Sequence, residues 1–383
     1  MPPRVTASLI EELIRRREEL KKQLEKVLSN EDVKAALGDH HAVRKPIACG
    51  MTIHTGVGCN YGCLYCYVPD MGFPMKPKPY PLTGAQLVYA LINNPHIVVG
   101  DYGTMLAFGS VTEPFMRETR ERTFEYLRFT RDFLGNPTQI STKSHLTWED
   151  SVKLRENSEG KLSVLVTVTT IVNARRLEPG APSPEERLET IRNLRRLGFH
   201  VSLFLRPIIP GVTTDFREVI KRAADAGAVG VVPGSLRVTQ GILTRLTAAH
   251  FNVSEVLNRM PRRPRDSRDQ VPVREGDLKG EVIREAREYN LRVFPSSCSA
   301  NMDSHGLSCW LCGYGPCGDV NELPRVYDED MKEIMELSGL KYRGMIIKGN
   351  KIIVRVKGSG NTHGLENLLT TVSKRQVLIR RVD

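Results

Sequence analysis

The sequence predicts an α/β fold: a partial barrel of six strand–helix units, followed by a cysteine-rich extension and a small α+β region. Three observations predict it. Short apolar runs alternate with longer amphipathic stretches, which is the pattern of parallel βα units. A cysteine-rich loop follows the first apolar run, at the strand end where β/α barrels carry their chemistry. The 383 residues, 40% of them apolar, suffice for one core of about 200–250 residues plus appendages.

The elements are read in chain order. Residues 6–37 are expected to be helical, because Leu9, Leu13, Leu20, Leu24 and Leu28 recur at steps of four or seven among Glu and Lys. Ser29 or Asn30 caps a second short helix that Gly38 ends, so the domain proper begins near Pro46. Strands are expected at 48–55, 104–108, 138–142, 161–169, 201–207 and 228–232, with helices at 84–93, 118–134, 184–197 and 215–226 between them. Past the second cysteine group, 324–340 reads as a helix and 342–356 as two strands turning through Gly349 and Asn350. The run THGLENLLTTVSK gives a further helix, and VLIRRV a last strand. Four regions result: a helical extension (1–45), the core (46–240), a linker with the cysteine-rich metal-binding region (241–325), and the small α+β region (326–383).

Composition narrows the partners. No apolar run approaches the roughly 20 residues of a membrane span, and the N-terminus lacks the apolar stretch of a signal peptide, so a soluble cytoplasmic protein without a membrane partner is expected. Seven of the eight cysteines fall into two tight groups with metal-ligand spacing, which suits a reducing compartment better than disulfides. A net charge of +11 raises the expectation of an anionic partner such as nucleic acid. The excess is concentrated at Arg15, Arg16 and Arg17, at Arg262, Arg263, Arg265 and Arg268, and at Lys374, Arg375, Arg380 and Arg381. There is no internal repeat and no cobalamin- or flavin-binding pattern, and the oligomeric state is not legible.

The chemistry centres on GCNYGCLYCY, residues 58–67, where Cys59, Cys63 and Cys66 stand at CxxxCxxC spacing. Three thiolates on one loop can each hold one iron of a cubane [4Fe-4S] cluster and leave the fourth iron open to another ligand. A zinc site would want a fourth His or Cys nearby, for which His54 and Cys49 are the local candidates. With Tyr65 before the last cysteine, the loop resembles the signature of the radical SAM enzymes. That resemblance implies that the open iron binds S-adenosylmethionine (SAM), that one electron from a low-potential donor splits the sulfonium, and that a 5'-deoxyadenosyl radical removes hydrogen from substrate. It further implies that Tyr65 leans toward the adenine, and that GSVTEPF, with Ser110 and Glu113, contacts the SAM amino group. Lys143 in STKS would pair the methionyl carboxylate, while Ser141 and its neighbours would reach the ribose. Together with LEPGAPSPEERLETIRNLRRLGFHV and LFLRPIIPG, which carries Arg206, these stretches resemble the spore photoproduct lyase-like branch over residues 46–240. One departure matters: the lyase returns hydrogen from a cysteine just after the second strand, and this chain has Gly109, Ser110 and Val111 there.

The second group, Cys298, Cys309, Cys312 and Cys317, combines CxxC with two flanking thiols in a Gly-rich stretch. It is expected to hold a second [4Fe-4S] cluster, with zinc as the alternative. In a third arrangement three of these thiols hold an open cluster, Cys298 stays free near the active site and His305 is an alternate ligand. Cys298, Cys49 and Arg206 are the candidate catalytic residues. The expected function is radical SAM chemistry on nucleic acid, perhaps a transfer RNA base. The alternatives are peptide or protein modification, photoproduct-lyase-like DNA repair, and a nonenzymatic metal-stabilised nucleic-acid-binding protein.

Overall fold

Seven parallel strands form the central sheet of the computed structural model, which describes residues 2–46, 50–360 and 362–382. They are β1 (Met51–Ile53), β2 (Leu106–Phe108), β3 (Thr138–Thr142), β4 (Ser163–Thr167), β5 (His200–Ile208), β6 (Gly230–Ser235) and β7 (Arg292–Val293), and they lie side by side in that order. Before the sheet come helices α1 (Ala7–Glu25) and α2 (Asn30–Leu37). Between the strands run α3 (Gly84–Asn93), α4 (Arg120–Phe129), α5 (Trp148–Asn157), α6 (Pro184–Arg196), α7 (Phe216–Asp225), α8 (Gln240–Ala248) and α9 (Gly276–Glu288). Parallel neighbours in sequence order, joined through helices, make the partial barrel.

Local chemistry sets the helix starts. Thr83 with Gln86, Thr147 with Asp150, and Ser183 with Glu186 form capping boxes, and Pro184 takes the first position of α6, where its missing N–H costs nothing. β4 is buried along its whole length, as a central parallel strand covered on both faces must be. The helix expected over 118–134 ends its α-helical part at Phe129 and continues as a π-turn over Thr130–Leu134, stopped by Gly135 at φ 66°. The strand expected at 48–55 is seen as Met51–Ile53.

β7 was not expected, because two residues carry no periodicity. It docks on β6 through Arg292↔Gly230 and Val293↔Val231. A Cβ at Gly230 would lie 2.5 Å from the Arg292 carbonyl oxygen, so only glycine permits this approach. Helix α10 (Ser297–His305) follows directly and packs against β3, β4 and β6.

Beyond it lie α11 (Asp328–Leu337), the hairpin of β8 (Lys341–Lys348) and β9 (Lys351–Lys357), α12 (His363–Ser373), and β10 (Gln376–Arg381), which joins β9 in parallel. The N-terminus is built into this small unit. The Val5 N–H donates to the Arg325 carbonyl at 2.9 Å, and Arg4 bonds Asp330 at 2.6 Å. Val5, Ala7 and Ile10 share one apolar core with Met331, Ile334, Val354 and Ile379, while Leu24 at the other end of α1 belongs to the barrel core. One helix thus ties the two cores together. No helix among the described residues is long and apolar enough to cross a membrane.

Met331 is fully buried at the centre of the small core. Met331→Ala is expected to destabilise the protein by about 2–5 kcal/mol, read by urea denaturation; a change under about 0.5 kcal/mol, typical of an exposed site, would contradict this packing.

Candidate active site

The cysteine loop leaves the carboxyl end of β1 and is closed by a two-residue antiparallel pairing of Gly56–Val57 with Lys78–Pro79. Gly58 has φ +84°, and a Cβ there would sit 2.4 Å from the Lys76 carbonyl oxygen. Two long-range hydrogen bonds fix the loop's interior: Leu64 N–H to the Leu177 carbonyl, and Gly180 N–H to the Tyr61 carbonyl, both at 2.9 Å. Its end is held by Arg245 of α8, which donates to the Leu64 carbonyl at 3.1 Å, to the Cys66 carbonyl at 2.6 Å, and to Asp70 at 2.8 and 2.9 Å. Cys59, Cys63 and Cys66 thereby line one cavity of about 300 Å³ inside the barrel.

Burial makes these thiols hard to ionise on their own, pushing Cys63 up to about 12 even though Lys143 works in the opposite direction. Burial likewise raises Cys59, opposed by the backbone N–H groups of Tyr61 and Glu113, and Cys66, opposed by the Val68 N–H, Lys143 and Arg245. A bound metal supplies the missing positive charge, and the N–H groups and cations already face where the thiolate charge would reside. The donor set therefore fits an iron–sulfur cluster.

Tyr65, Ser110, Glu113, Ser141, Lys143 and Arg206, proposed from the sequence, line the same cavity, whereas Cys298 is not among its lining residues, its neighbour Ser297 being there instead. Tyr65 is buried, donates its hydroxyl to Glu178, and has Lys143 Nζ 5.5 Å from its ring centroid. Glu178 in turn pairs with Arg187 at 2.7 Å, both side chains being at most 1% exposed. Burial alone would raise the Glu178 carboxyl; Arg187, Lys143 and the Tyr65 hydroxyl outweigh it and hold it below the usual carboxylate range. Glu113 accepts four protein donors: the Thr142 hydroxyl at 2.5 Å, the Lys143 N–H at 2.8 Å, the Ser144 hydroxyl at 3.0 Å and the Phe115 N–H at 3.3 Å. Its carboxylate fastens the loop after β2 to the loop after β3. Ser141 donates toward the carbonyls of Phe108 and Gly109 at 3.3 and 3.2 Å.

Residues 53–223 match the family model of the Radical SAM superfamily. The chain carries a radical SAM domain. An uncharacterized protein of Methanocaldococcus jannaschii is 30% identical over 168 residues, covering 41% of this chain and 60% of its own. A protein of Pseudomonas phage M6 described as a radical SAM Nalpha-GlyT isomerase is 25% identical over 186 residues, covering 44% of this chain and 35% of its own. This chain thus spans about a third of the phage relative's length and three fifths of the archaeal one's. A spore photoproduct lyase mutant with bound AdoMet and dinucleoside spore photoproduct superposes with a TM-score of 0.51 at 15% identity, covering 63% of this chain and 75% of that one, a likeness of fold. The radical SAM match of residues 53–223 carries with it a [4Fe-4S] cluster, SAM and an electron donor as the family's cofactors.

The second cysteine group sits at the opposite end of the radical SAM domain's strands. Cys298 follows Ser297, which lines the cavity and accepts a 2.7 Å hydrogen bond from Gln139 near the start of β3. Cys309 and Cys317 pair antiparallel through backbone hydrogen bonds of 2.9 and 2.7 Å. Cys298, Cys309 and Cys317 pack with Met105, just ahead of β2, and the four thiols feel one another's charge. His305 lies elsewhere in this corner, bonded to the Asn301 carbonyl and to Glu159. Cys49 lies outside the described residues.

Several functional side chains escaped sequence reasoning. Asp70 and Arg245 are 175 positions apart, and only the acid four residues after Cys66 hints at the pair. Tyr67, Gln139 and Arg237 also line the cavity. The basic runs proved partly structural: Arg16 and Arg17 donate to the carbonyls of Leu134 and Asn94, Arg262 pairs with Asp269, and Lys374 is 3% exposed.

Arg187→Ala is expected to destabilise the domain by about 3–5 kcal/mol, because it strands a buried carboxylate. Anaerobic urea titration reads this. The pair's contribution should also fade as pH falls: Glu178 is held below its unfolded value, so its stabilisation is full above about pH 4.3 and is lost as the carboxylate protonates below that. A variant as stable as wild type at pH 7 would refute the pair's role.

Proposed function

We propose that the protein is a radical SAM enzyme in which Cys59, Cys63 and Cys66 hold the [4Fe-4S] cluster, the adjoining cavity takes SAM, and an anionic substrate of the nucleic-acid class enters past Arg206 and Arg237. The observation that carries this reading is the convergence of three thiols, Tyr65 and two guanidinium-bearing residues on one cavity. The cluster and SAM supply reductive cleavage of the sulfonium and a 5'-deoxyadenosyl radical that removes hydrogen from substrate.

This chain's residues bind and orient. Lys143 is the cation for the methionyl carboxylate, and Tyr65, locked by Glu178, presents its ring to the adenine. Ser110 offers its carbonyl, 3.5 Å from the Tyr67 hydroxyl, to the SAM ammonium. Glu113 acts as a positioning residue, since its four hydrogen bonds hold that wall to the Lys143 loop; Ser141 lies on the same wall, where its hydroxyl faces the ribose. Neither Arg206 nor Arg237 has a carboxylate within ion-pair distance among the described residues, and both are exposed where they line the cavity. A phosphate would pair with guanidiniums placed in this way.

The tail cysteines are proposed to hold a second [4Fe-4S] cluster. No three of their sulfurs lie within 4.8 Å of one another, whereas Zn–S bonds of about 2.3 Å at tetrahedral angles need sulfurs about 3.8 Å apart. Buried Lys374, which Cys309 attracts, supplies a cation beside it. A peptide or protein substrate is the second reading, favoured by the placement of Cys298 beside the cavity floor.

Anaerobically reconstituted protein, given SAM and dithionite, is expected to yield 5'-deoxyadenosine, and Cys63→Ala none. Cleavage that survives this substitution would defeat the assignment. Iron near eight per chain, falling to about four in Cys309→Ala/Cys312→Ala, is expected for two cubanes; about four iron and one zinc in wild type would assign zinc to the tail. For substrate, RNA binding should weaken with salt, and Arg206→Ala/Arg237→Ala should lower the log–log salt slope by about 2. Salt-insensitive binding would favour the peptide reading.

A further inference from the structure

A third group of metal-ligating side chains lies outside the cavity, and neither cysteine group uses it. His40 and His41 stand in a short turn after α2, and His54 follows β1. Their ligand nitrogens lie within 4.8 Å of one another, the only such group of three or more His, Cys, Asp or Glu residues among those described. The ring centroids of His40 are 4.1 Å from His41 and 5.0 Å from His54.

The hydrogen bonds decide which nitrogens are available. Asp39 Oδ1 lies 2.6 Å from His41 Nδ1, and a carboxylate can only accept there, so Nδ1 carries a proton; the His54 backbone N–H points at Nε2, so that nitrogen carries the lone pair. The Tyr80 hydroxyl donates to Asp39 Oδ2 at 2.6 Å, so its oxygen, 3.0 Å from His40 Nδ1, accepts from that nitrogen. His40 Nε2 is left as the second nitrogen of that ring, buried with no hydrogen-bond partner. His41 Nε2 meets only a long 3.3 Å contact from the His54 backbone N–H. Two imidazoles, His40 and His41, present Nε2, each anchored at Nδ1 by an oxygen, as metal-ligating histidines are.

We propose that His40, His41 and His54 bind one divalent transition ion of the zinc class, with Asp39 and Tyr80 orienting the ligands and an exogenous ligand completing the shell. All-imidazole donors suit zinc, and a tetrahedral site with Zn–N of about 2.0–2.1 Å needs nitrogens about 3.4 Å apart, a small contraction of the group seen here. Because His54 precedes Cys59 by five residues, the ion would pin the N-terminal region to the root of the cluster loop.

The test uses full-length protein with its cysteine sites loaded with iron, so that thiols do not compete, titrated with zinc against a chromophoric chelator. One zinc per chain is expected, with affinity reduced about 10–100-fold by Asp39→Asn and the site abolished in His40→Gln/His54→Gln at unchanged iron content. Zinc uptake by the double variant equal to wild type would overturn the assignment. X-ray absorption at the zinc edge of wild type decides the matter even if the variants do not fold: a nitrogen-and-oxygen shell with imidazole scattering supports the site, and sulfur scattering or no bound zinc overturns it.

Discussion

The buried Glu178–Arg187 ion pair is the contact on which the geometry of the cavity rests. A loop with almost no regular structure has to hold three sulfurs still, and its own backbone cannot do so. Glu178 seats Tyr65 in the middle of that loop, and the Leu177 carbonyl beside it takes the Leu64 N–H. From the other side Arg245 grips the Leu64 and Cys66 carbonyls and Asp70. The loop is clamped between the segment after β4 and helix α8, whose Leu177, Ile242 and Leu246 pack with the loop's own Tyr65 in one apolar cluster.

The same economy runs through the cavity walls. Glu113 and Ser141 join the end of β2 to that of β3, and the Gln139–Ser297 hydrogen bond joins β3 to the start of α10. The arrangement puts one cysteine group at the carboxyl ends of the strands and the other near their amino ends, with one cavity between.

What the sequence made legible was local. The CxxxCxxC spacing, the strand at Thr138–Thr142 and the helix at Gly84–Asn93 are each set by a few neighbouring residues, the helix by its Thr83–Gln86 capping box. What stayed hidden depends on distant partners. β7 is too short to show a period, Asp70 finds Arg245 across 175 positions, and Arg187 reads as one more arginine on an amphipathic helix until Glu178 folds against it. The basic runs are partly structural for a related reason: charge count does not distinguish a solvated lysine from Lys374, whose ammonium is buried against the carbonyls of Tyr102 and Gly103. Arg206 and Arg237 line the cavity, and among the described residues neither has a carboxylate within ion-pair distance.

The central claim is that three sulfur ligands on one loop leave a coordination position for SAM. Electron paramagnetic resonance of the reduced Cys309→Ala/Cys312→Ala protein, recorded with and without SAM, tests it most directly. The account predicts a reduced-cubane signal whose g values move when SAM is added. A spectrum indifferent to SAM, or no cubane signal with the loop intact, would contradict it.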